Sequence, residues 1–296
     1  MDLTQLRTFV AVAQEGRLTR AAERLHISQP AASAHIRTLE AELEVQLFAR
    51  TNRGLELTPA GRRLAESAER VLGSAVELTS LARSLRGSLA GRLDLGSNAD
   101  PVLNRLGPLM IWLRDHQPLI ELNLEVRSSL ATRQGVRAGE LDGGFLLGSG
   151  VDKGLLALSL ATLEYRIAGP HAWAARMREA DWKELAVLPW IVTAPGTSNA
   201  EMRDQLFRSR GLEIDAAIEV NNDLLVRTLI SDGVGIGLVR RDLAEEGERQ
   251  GHFGLAPIGL ATTSLLFVFA QARRDDPLLQ ALSDGIRAVW GLPAPA

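Results

Sequence analysis

The residue pattern changes character once, between Arg86 and Gly91, and that change constrains the fold more than any other feature. Before it, apolar residues recur at helical spacing, broken only by short turns. After it, short apolar runs alternate with amphipathic stretches. The periodicity predicts an all-helical beginning followed by an α/β body. With 296 residues, each part is long enough to hold its own core.

In the first part, Leu3, Leu6, Phe9, Val10 and Ala13 form one helical stripe that Gly16 ends. Thr19 is positioned to cap a second helix, with Ala21, Ala22 and Leu25 facing inward. His26-Ile27 leaves room only for a tight connection. Ser28 is a good N-cap and Pro30 is tolerated in the first turn, so a third helix is predicted over 29–43, with Ala32, Ile36 and Leu39 inside. Leu47-Phe48 and Leu55–Leu57 read as short extended pieces around the turn Asn52-Arg53-Gly54.

Thr58-Pro59 then opens a long helix predicted to run to about Gly87. Its apolar residues are Leu64, Ala68, Val71, Ala75, Leu78, Ala82 and Leu85, at alternating spacings of four and three. That is a coiled-coil seam with Ala at every second core position, and it predicts pairing with a second copy of the chain. The flanking positions carry no charges that would set the orientation.

Beyond Gly91, strands are expected at 92–96, 121–126, 143–147, 163–168, 190–193, 217–220, 235–239 and 265–271. The apolar run 185–192 also reads as buried strand. Helices fit 103–115, 130–138, 199–211, 222–232, 241–249 and 277–290. A break near 157–163 favours two subdomains.

The net charge of −3 conceals an asymmetry: residues 1–90 carry 12 Arg against 10 acidic residues. Between Arg17 and Arg63 there are eight Arg and five Glu, a prompt to look for nucleic-acid binding there. The chain has no cysteine, which excludes disulfides, thiolate metal sites and thiol chemistry. No signal peptide and no apolar run of about 20 residues is visible, so a cytoplasmic, non-membrane location is expected.

Two short helices joined by a tight turn, the second of them polar outside, match the pattern of a helix-turn-helix. The candidate DNA contacts are Ser28, Gln29, Pro30, Ser33, His35 and Arg37, with Arg50 and Arg53 beside the glycine turn. Gln pairs in bidentate fashion with adenine and Arg with guanine. A plain trihelical core with solvated arginines shares the same pattern. The order Ala21-Ala22, Leu25, Ser28-Gln29-Pro30-Ala31, Ser33, Ile36, Leu39-Glu40, Leu47-Phe48, Arg50, Leu57-Thr58 and Ala60-Gly61 closely resembles the winged helix-turn-helix of LysR-type transcriptional regulators. The resemblance continues through His116, Pro118, Gly139-Glu140-Leu141-Asp142, Pro189-Trp190-Ile191 and Gly233, Gly235 and Gly237. It implies a multidomain α plus α/β protein: a DNA-binding head at 1–58, a linker helix and hinge at 59–90, and an effector-binding body at 91–296. That body would resemble a type 2 periplasmic binding protein, with one lobe at 91–161 and 264–292 and the other at 162–263. The resemblance further implies a homodimer or homotetramer with antiparallel linker helices, a double-stranded DNA operator, a small-molecule effector and RNA polymerase as a candidate further partner. Ala32 and Ala34 stand where the family often has a bulky aliphatic and Arg, so no operator sequence is implied.

Ligands of open α/β sheets sit beyond the carboxyl ends of strands. The corresponding candidates are Ser97, Asn98, Asp100, Ser128, Ser129, Thr197, Ser198 and Asn221, with Phe145 as an apolar wall. Helix capping explains each such residue taken singly. Several helix N-termini together would favour an organic anion, unless Asp100 and Asp223 point inward. No catalytic residue, cofactor or metal site is expected. The run from Gly233 to Gly237 follows a helix and precedes a strand, the reverse of a dinucleotide loop. Two other classes stay open at this level: a ligand-binding or enzymatic α/β protein without regulatory DNA binding, and a ligand-independent architectural DNA-binding protein.

Overall fold

The structure is a computed structural model and describes residues 1–51, 54–84, 89–98, 100–148, 150, 152–214 and 216–293. Arg53 and Leu85 lie outside the described residues, as do the side chains of Arg50 and Ala82.

Helix α1 (Leu3–Glu15) starts with a reciprocal cap: Asp2 accepts from the Gln5 N–H, and the Gln5 side chain accepts from the Asp2 N–H. It ends at Gly16. Helix α2 (Leu18–Arg24) begins one residue before the expected Thr19 cap and has no side-chain cap. Thr19 instead reaches Gln29 across the turn, at 3.4 Å. His26 takes a left-handed backbone to turn the chain into α3 (Gln29–Leu43), which Ser28 caps through the Ala31 N–H. One carboxylate oxygen of Glu40 accepts from the N–H groups of Leu47 and Phe48 and so fixes the start of the hairpin β1 (Phe48–Thr51) and β2 (Gly54–Leu57). Phe48 packs edge-on against Phe9 of α1, with ring centroids 5.6 Å apart.

The linker helix α4 (Pro59–Ser84) is capped by Thr58, whose hydroxyl accepts from Gly61 N–H and donates to Gln46 C=O. A side chain at Gly61 would place its Cβ 2.1 Å from the Leu47 carbonyl oxygen, so only glycine lets helix and hairpin meet. The first half of α4 belongs to the head. Ala68 and Leu72 join the core formed by Leu6, Phe9, Val10, Ile36, Leu39 and Leu47, with Leu64 and Ala65 packed against it. This corrects the seam expectation at its beginning: Leu64 and Ala68 are taken up by the chain's own head. Among the described side chains farther along the stripe, Val71 is 44% and Leu78 69% exposed and Ala75 is half-buried.

The body contains β3 (Gly91–Ser97), α5 (Leu106–His116), β4 (Ile120–Val126), α6 (Ser129–Arg137), β5 (Gly143–Gly148) and β6 (Leu155–Pro170). It continues with α7 (Ala174–Glu179), α8 (Trp182–Val187), β7 (Trp190–Thr193), α9 (Ser198–Arg208), β8 (Ala216–Val220) and α10 (Asp223–Ser231). The last elements are β9 (Gly237–Arg240), α11 (Arg241–Arg249), β10 (Phe253–Leu255), β11 (Ala261–Ala270) and α12 (Pro277–Trp290).

One lobe has β4, β3 and β5 in parallel, then β11 antiparallel to β5. Its core is built on Leu93, Leu95, Leu113, Phe145, Phe267 and Leu282. The other lobe pairs β9 and β10 with the far half of β6, and β7 with β8. Its largest core residues are Tyr165, Trp190 and Phe207. Where the sequence suggested a break near 157–163, β6 runs unbroken from one lobe to the other, paired with β11 and kinked by one register shift opposite Leu265/Leu266. The apolar run 185–192 is divided as well. Its first part closes α8, and only its end is strand.

Candidate DNA face and effector cleft

The buried side of α3 is Ala32, Ile36 and Leu39, which fixes what its other side can show. Gln29, Pro30, Ala34 and Arg37 are exposed, Ser28 is exposed at the cap, and Ser33 is half-buried. His35 departs from the expectation. Thr8 donates its hydroxyl to Thr4 C=O, so the 2.9 Å contact to His35 is donated by the histidine Nδ1–H. The ring is thereby tied to α1 and is not among the exposed polar groups. Arg17, Arg20, Arg37 and Arg63 are exposed and have no carboxylate partner among the described residues. Arg37 stands on the open side of α3, where a guanidinium free of carboxylates suits phosphates and base edges. Arg17 and Arg20 were not picked out as contacts, although the clustering of arginine already included them.

The second site is the junction between the lobes. Ser97 is buried, and Asn104 donates to both its hydroxyl and the Asn98 side-chain oxygen, at 2.8 and 2.9 Å. Asp100 caps the following turn through Leu103 N–H and, with its other oxygen, accepts from Arg240 of the opposite lobe at 2.7 Å. A second crossing is made by Leu147. Its N–H donates to Ser129, and its C=O accepts from Ser198 of the other lobe at 2.6 Å. Ser128 and Thr197 cap α6 and α9 through Ala131 and Ala200 N–H. Asn221 stands apart: it is exposed, and its side-chain oxygen accepts from its neighbour Asn222. Phe145 is corrected: it is 1% exposed and packs on Phe267 inside the first lobe, so it is core and not a cleft wall.

Charge in the cleft is mixed. Burial works against the Arg240 cation, but Asp242 and Asp100 outweigh it and hold its pKa above the ordinary range. Asp223 is open to solvent yet walled by protein. That crowding pushes its carboxyl above the usual range, and a hydrogen bond from Asn199 only partly offsets it. Burial, with Asp223 nearby, also pushes the Tyr165 phenol upward. Asn199, Asp223 and Arg240 are not among the contacts expected from the sequence. Asn199 and Asp223 were visible as polar residues at helix starts, whereas Arg240 carried no local signal.

The family described as "Bacterial regulatory helix-turn-helix protein, lysR family" matches residues 3–62, and "LysR substrate binding domain" matches residues 86–291. The chain belongs to the LysR family of transcriptional regulators. As a LysR regulator it is a DNA-binding transcription factor with an effector-binding domain, not an enzyme. It is 30% identical over 249 residues to the HTH-type transcriptional regulator TfdS of Cupriavidus pinatubonensis, covering 82% of this chain and 84% of that one. It is 38% identical over 145 residues to a probable cat1 operon transcriptional activator of Acinetobacter lwoffii, a match spanning 49% of this chain and 48% of that one. Among solved structures, a full-length OxyR variant from Pseudomonas aeruginosa aligns with a TM-score of 0.59 and 23% identity, covering 100% of this chain and 98% of that one. Full-length CbnR complexed with its target DNA aligns with a TM-score of 0.50 and 24% identity, covering 98% and 99%. Both structures share the LysR fold across head, linker and body. The run from Gly233 to Gly237 fits that fold as packing: a Cβ at Gly235 would lie 2.3 Å from the Pro189 carbonyl oxygen. Among the described residues no cluster suited to a metal ion occurs, and no helix is long and apolar enough to cross a membrane.

Proposed function

We propose that the chain binds an operator through two heads of a dimer, with Gln29, Pro30, Ser33 and Arg37 facing bases in the major groove. Ser28, Arg50 and Arg53, with Arg17 and Arg20, would hold phosphates. The observation that carries this is the division of α3 into a buried apolar side and an open side bearing an unpaired Arg37. The α4 stripe from Val71 onward would join the two copies. The division of the body at 161 and 264 is supported by the separate apolar clusters of the two lobes, whereas the head's cluster runs past 58 to Ala68 and Leu72 of α4. Work on DNA in the cytoplasm, beside RNA polymerase at a promoter, belongs to the same reading.

The test is Arg37→Ala, with affinity measured on an in vitro selected duplex and on random DNA across salt concentrations. A base reader loses about 1–3 kcal/mol of discrimination. Equal loss on both DNAs would move Arg37 to the phosphate class.

The effector would sit between the lobes, where Asp100–Arg240 and Ser198–Leu147 already bridge them. Its chemistry departs from the organic anion expected earlier. The helix starts are occupied by their own caps, Arg240 is shared by two carboxylates, and Asp223 keeps spare acceptor capacity. These features favour a small molecule bearing an amine. Putrescine and succinate, equal in carbon number and opposite in charge, discriminate the two. Protection of the wild-type sensor from heat by putrescine, abolished in Asp223→Asn, is expected. Protection by succinate alone would reverse the assignment.

Asp223 also gives a pH test. Its folded pKa is raised, so its charge destabilises the fold at neutral pH, and the penalty fades as pH falls through the carboxylate range. Asp223→Asn is therefore expected to raise the sensor's melting temperature at neutral pH and to leave it unchanged near pH 3. No gain at neutral pH would remove Asp223 from the crowded cleft.

A further inference from the structure

The turn Gly139-Glu140-Leu141-Asp142 has no part in the DNA face or in the cleft. Its two carboxylates point in opposite directions. Asp142 stays within the sensor, accepting from Asp94 N–H and pairing with Arg273. Glu140 leaves it. One oxygen of Glu140 accepts two bonds from Arg24 of the head, Nε at 3.1 Å and Nη2 at 2.9 Å. Arg24 turns its remaining nitrogen to Glu15 at the end of α1. On the sensor side Arg127 approaches the same Glu140 oxygen at 3.4 Å and pairs with Glu125. The result is a chain of alternating charge, Glu15, Arg24, Glu140, Arg127 and Glu125, whose central pair is only 15% and 16% exposed.

Two neighbouring contacts strengthen the junction. Arg137, at the end of α6, pairs with Glu69 of α4 at 2.9 Å. Ala138 is buried in the same apolar cluster as Ala68 and Leu72. Helix α6 therefore ends against the head, and it begins in the cleft, where Ser129 holds Leu147. Its nine residues span about 13 Å as one rigid piece.

We infer that Glu140 is a positioning residue for DNA binding: the sensor uses it to hold the helix-turn-helix at one orientation, through Arg24, on the helix that starts in the effector cleft. Arg24 closes α2, the helix immediately before α3, so the grip acts one turn away from the recognition helix. Three features separate this contact from an incidental surface ion pair. The central carboxylate receives a two-nitrogen grip, the pair is largely removed from water, and each charge has a second partner of opposite sign. Loss of Glu140 would leave Arg24 and Arg127 facing each other, which disfavours the docked arrangement. The inference rests on the proposed function for its purpose, since only a DNA-binding head gives its orientation a consequence. The distance measurement that tests it, however, requires neither effector nor operator.

The chain has no cysteine, so Glu23→Cys on α2 and Asp284→Cys on α12 create two unique spin-label sites, both exposed. Pulsed dipolar spectroscopy is run on the full chain, with labelled protein diluted into unlabelled protein. One narrow distance is expected in the parent. Arg24→Gln and Glu140→Gln are each expected to broaden it, Glu140→Gln more because it also leaves Arg24 facing Arg127, and the double variant no more than Glu140→Gln alone. Glu69→Gln, outside the ion chain, is expected to broaden it less. On an in vitro selected duplex, affinity is expected to shift in the same direction in both single variants and no further in the double than in Glu140→Gln. A distance left narrow by both single variants, with the head still folded by circular dichroism, would overturn the assignment. Additive effects in the double variant would also overturn it, since they would mean that Arg24 and Glu140 act separately.

Discussion

The two halves of α4 carry the same periodic apolar pattern and put it to different uses. In the first half Leu64, Ala68 and Leu72 face inward and complete the head, and Leu72 is 2% exposed. In the second half Leu78 is 69% exposed, and Val71, beside Leu72 on the other side of the helix, is already 44% exposed. A helix face buried within a domain and one awaiting a second copy are indistinguishable by spacing, because both need an apolar stripe at about 3.6-residue period. What separates them is whether the rest of the chain can reach the face. The hairpin, α1 and Ala138 at the end of α6 together cover the turns that carry Leu64, Ala68 and Leu72.

The largest effect expected from this division is at Leu72→Ala. The head should lose about 2–5 kcal/mol of stability, as for other buried leucines. Chemical denaturation followed through the head's helices measures it, with the sensor's transition unmoved. A next, smaller effect is expected at Leu78→Glu. Each Leu removed from a dimer contact forfeits about 1.5–3 kcal/mol of burial, so the mass in solution should fall toward that of one chain while the head melts as before. An intact dimer would place the interface elsewhere and break the comparison. The smallest effect is expected at Gly73→Ala, between the two halves. Nothing lies within 4 Å of the added methyl group, and replacing glycine in a helix stabilises by about 0.5–1 kcal/mol. A rise in melting temperature with unchanged mass would put Gly73 on the free side of the dimer. Loss of the dimer would put it in the contact.

Much of the head was legible because its signals are local. Ser28, Pro30 and the Ala32–Ile36–Leu39 spacing gave α3 its observed bounds, and Thr58-Pro59 gave the start of α4. The helix expected at 277–290 is likewise α12 with the same bounds, and the structure shows Asp276 and Gly291 as its caps. What was not legible depends on distant partners. His35 is polar and sits on the recognition helix, yet Thr8, 27 residues away, decides where it points. Trp182–Val187 is a six-residue helix, too short for its period to show, and it adjoins a strand of similar composition. Strand β10 has three residues and exists because β6 offers an edge. In the cleft, the capping residues were found from their positions after strands. Asp100–Arg240 joins residues 140 apart, and no local pattern could have announced it.

The unbroken β6 has a mechanical consequence. It is hydrogen-bonded to β11 along the whole length of β11, from Ala261 to Ala270, and this ribbon passes from one lobe into the other. The lobes are therefore joined by a paired band with no single swivel point. Changing their angle means twisting two strands together, with the irregularity at Leu265/Leu266 as the place of least stiffness. Such a joint behaves as a torsion spring. It returns to rest when the load is removed and favours small rotations over wide opening, and each crossing contact between the lobes sets where that rest position lies.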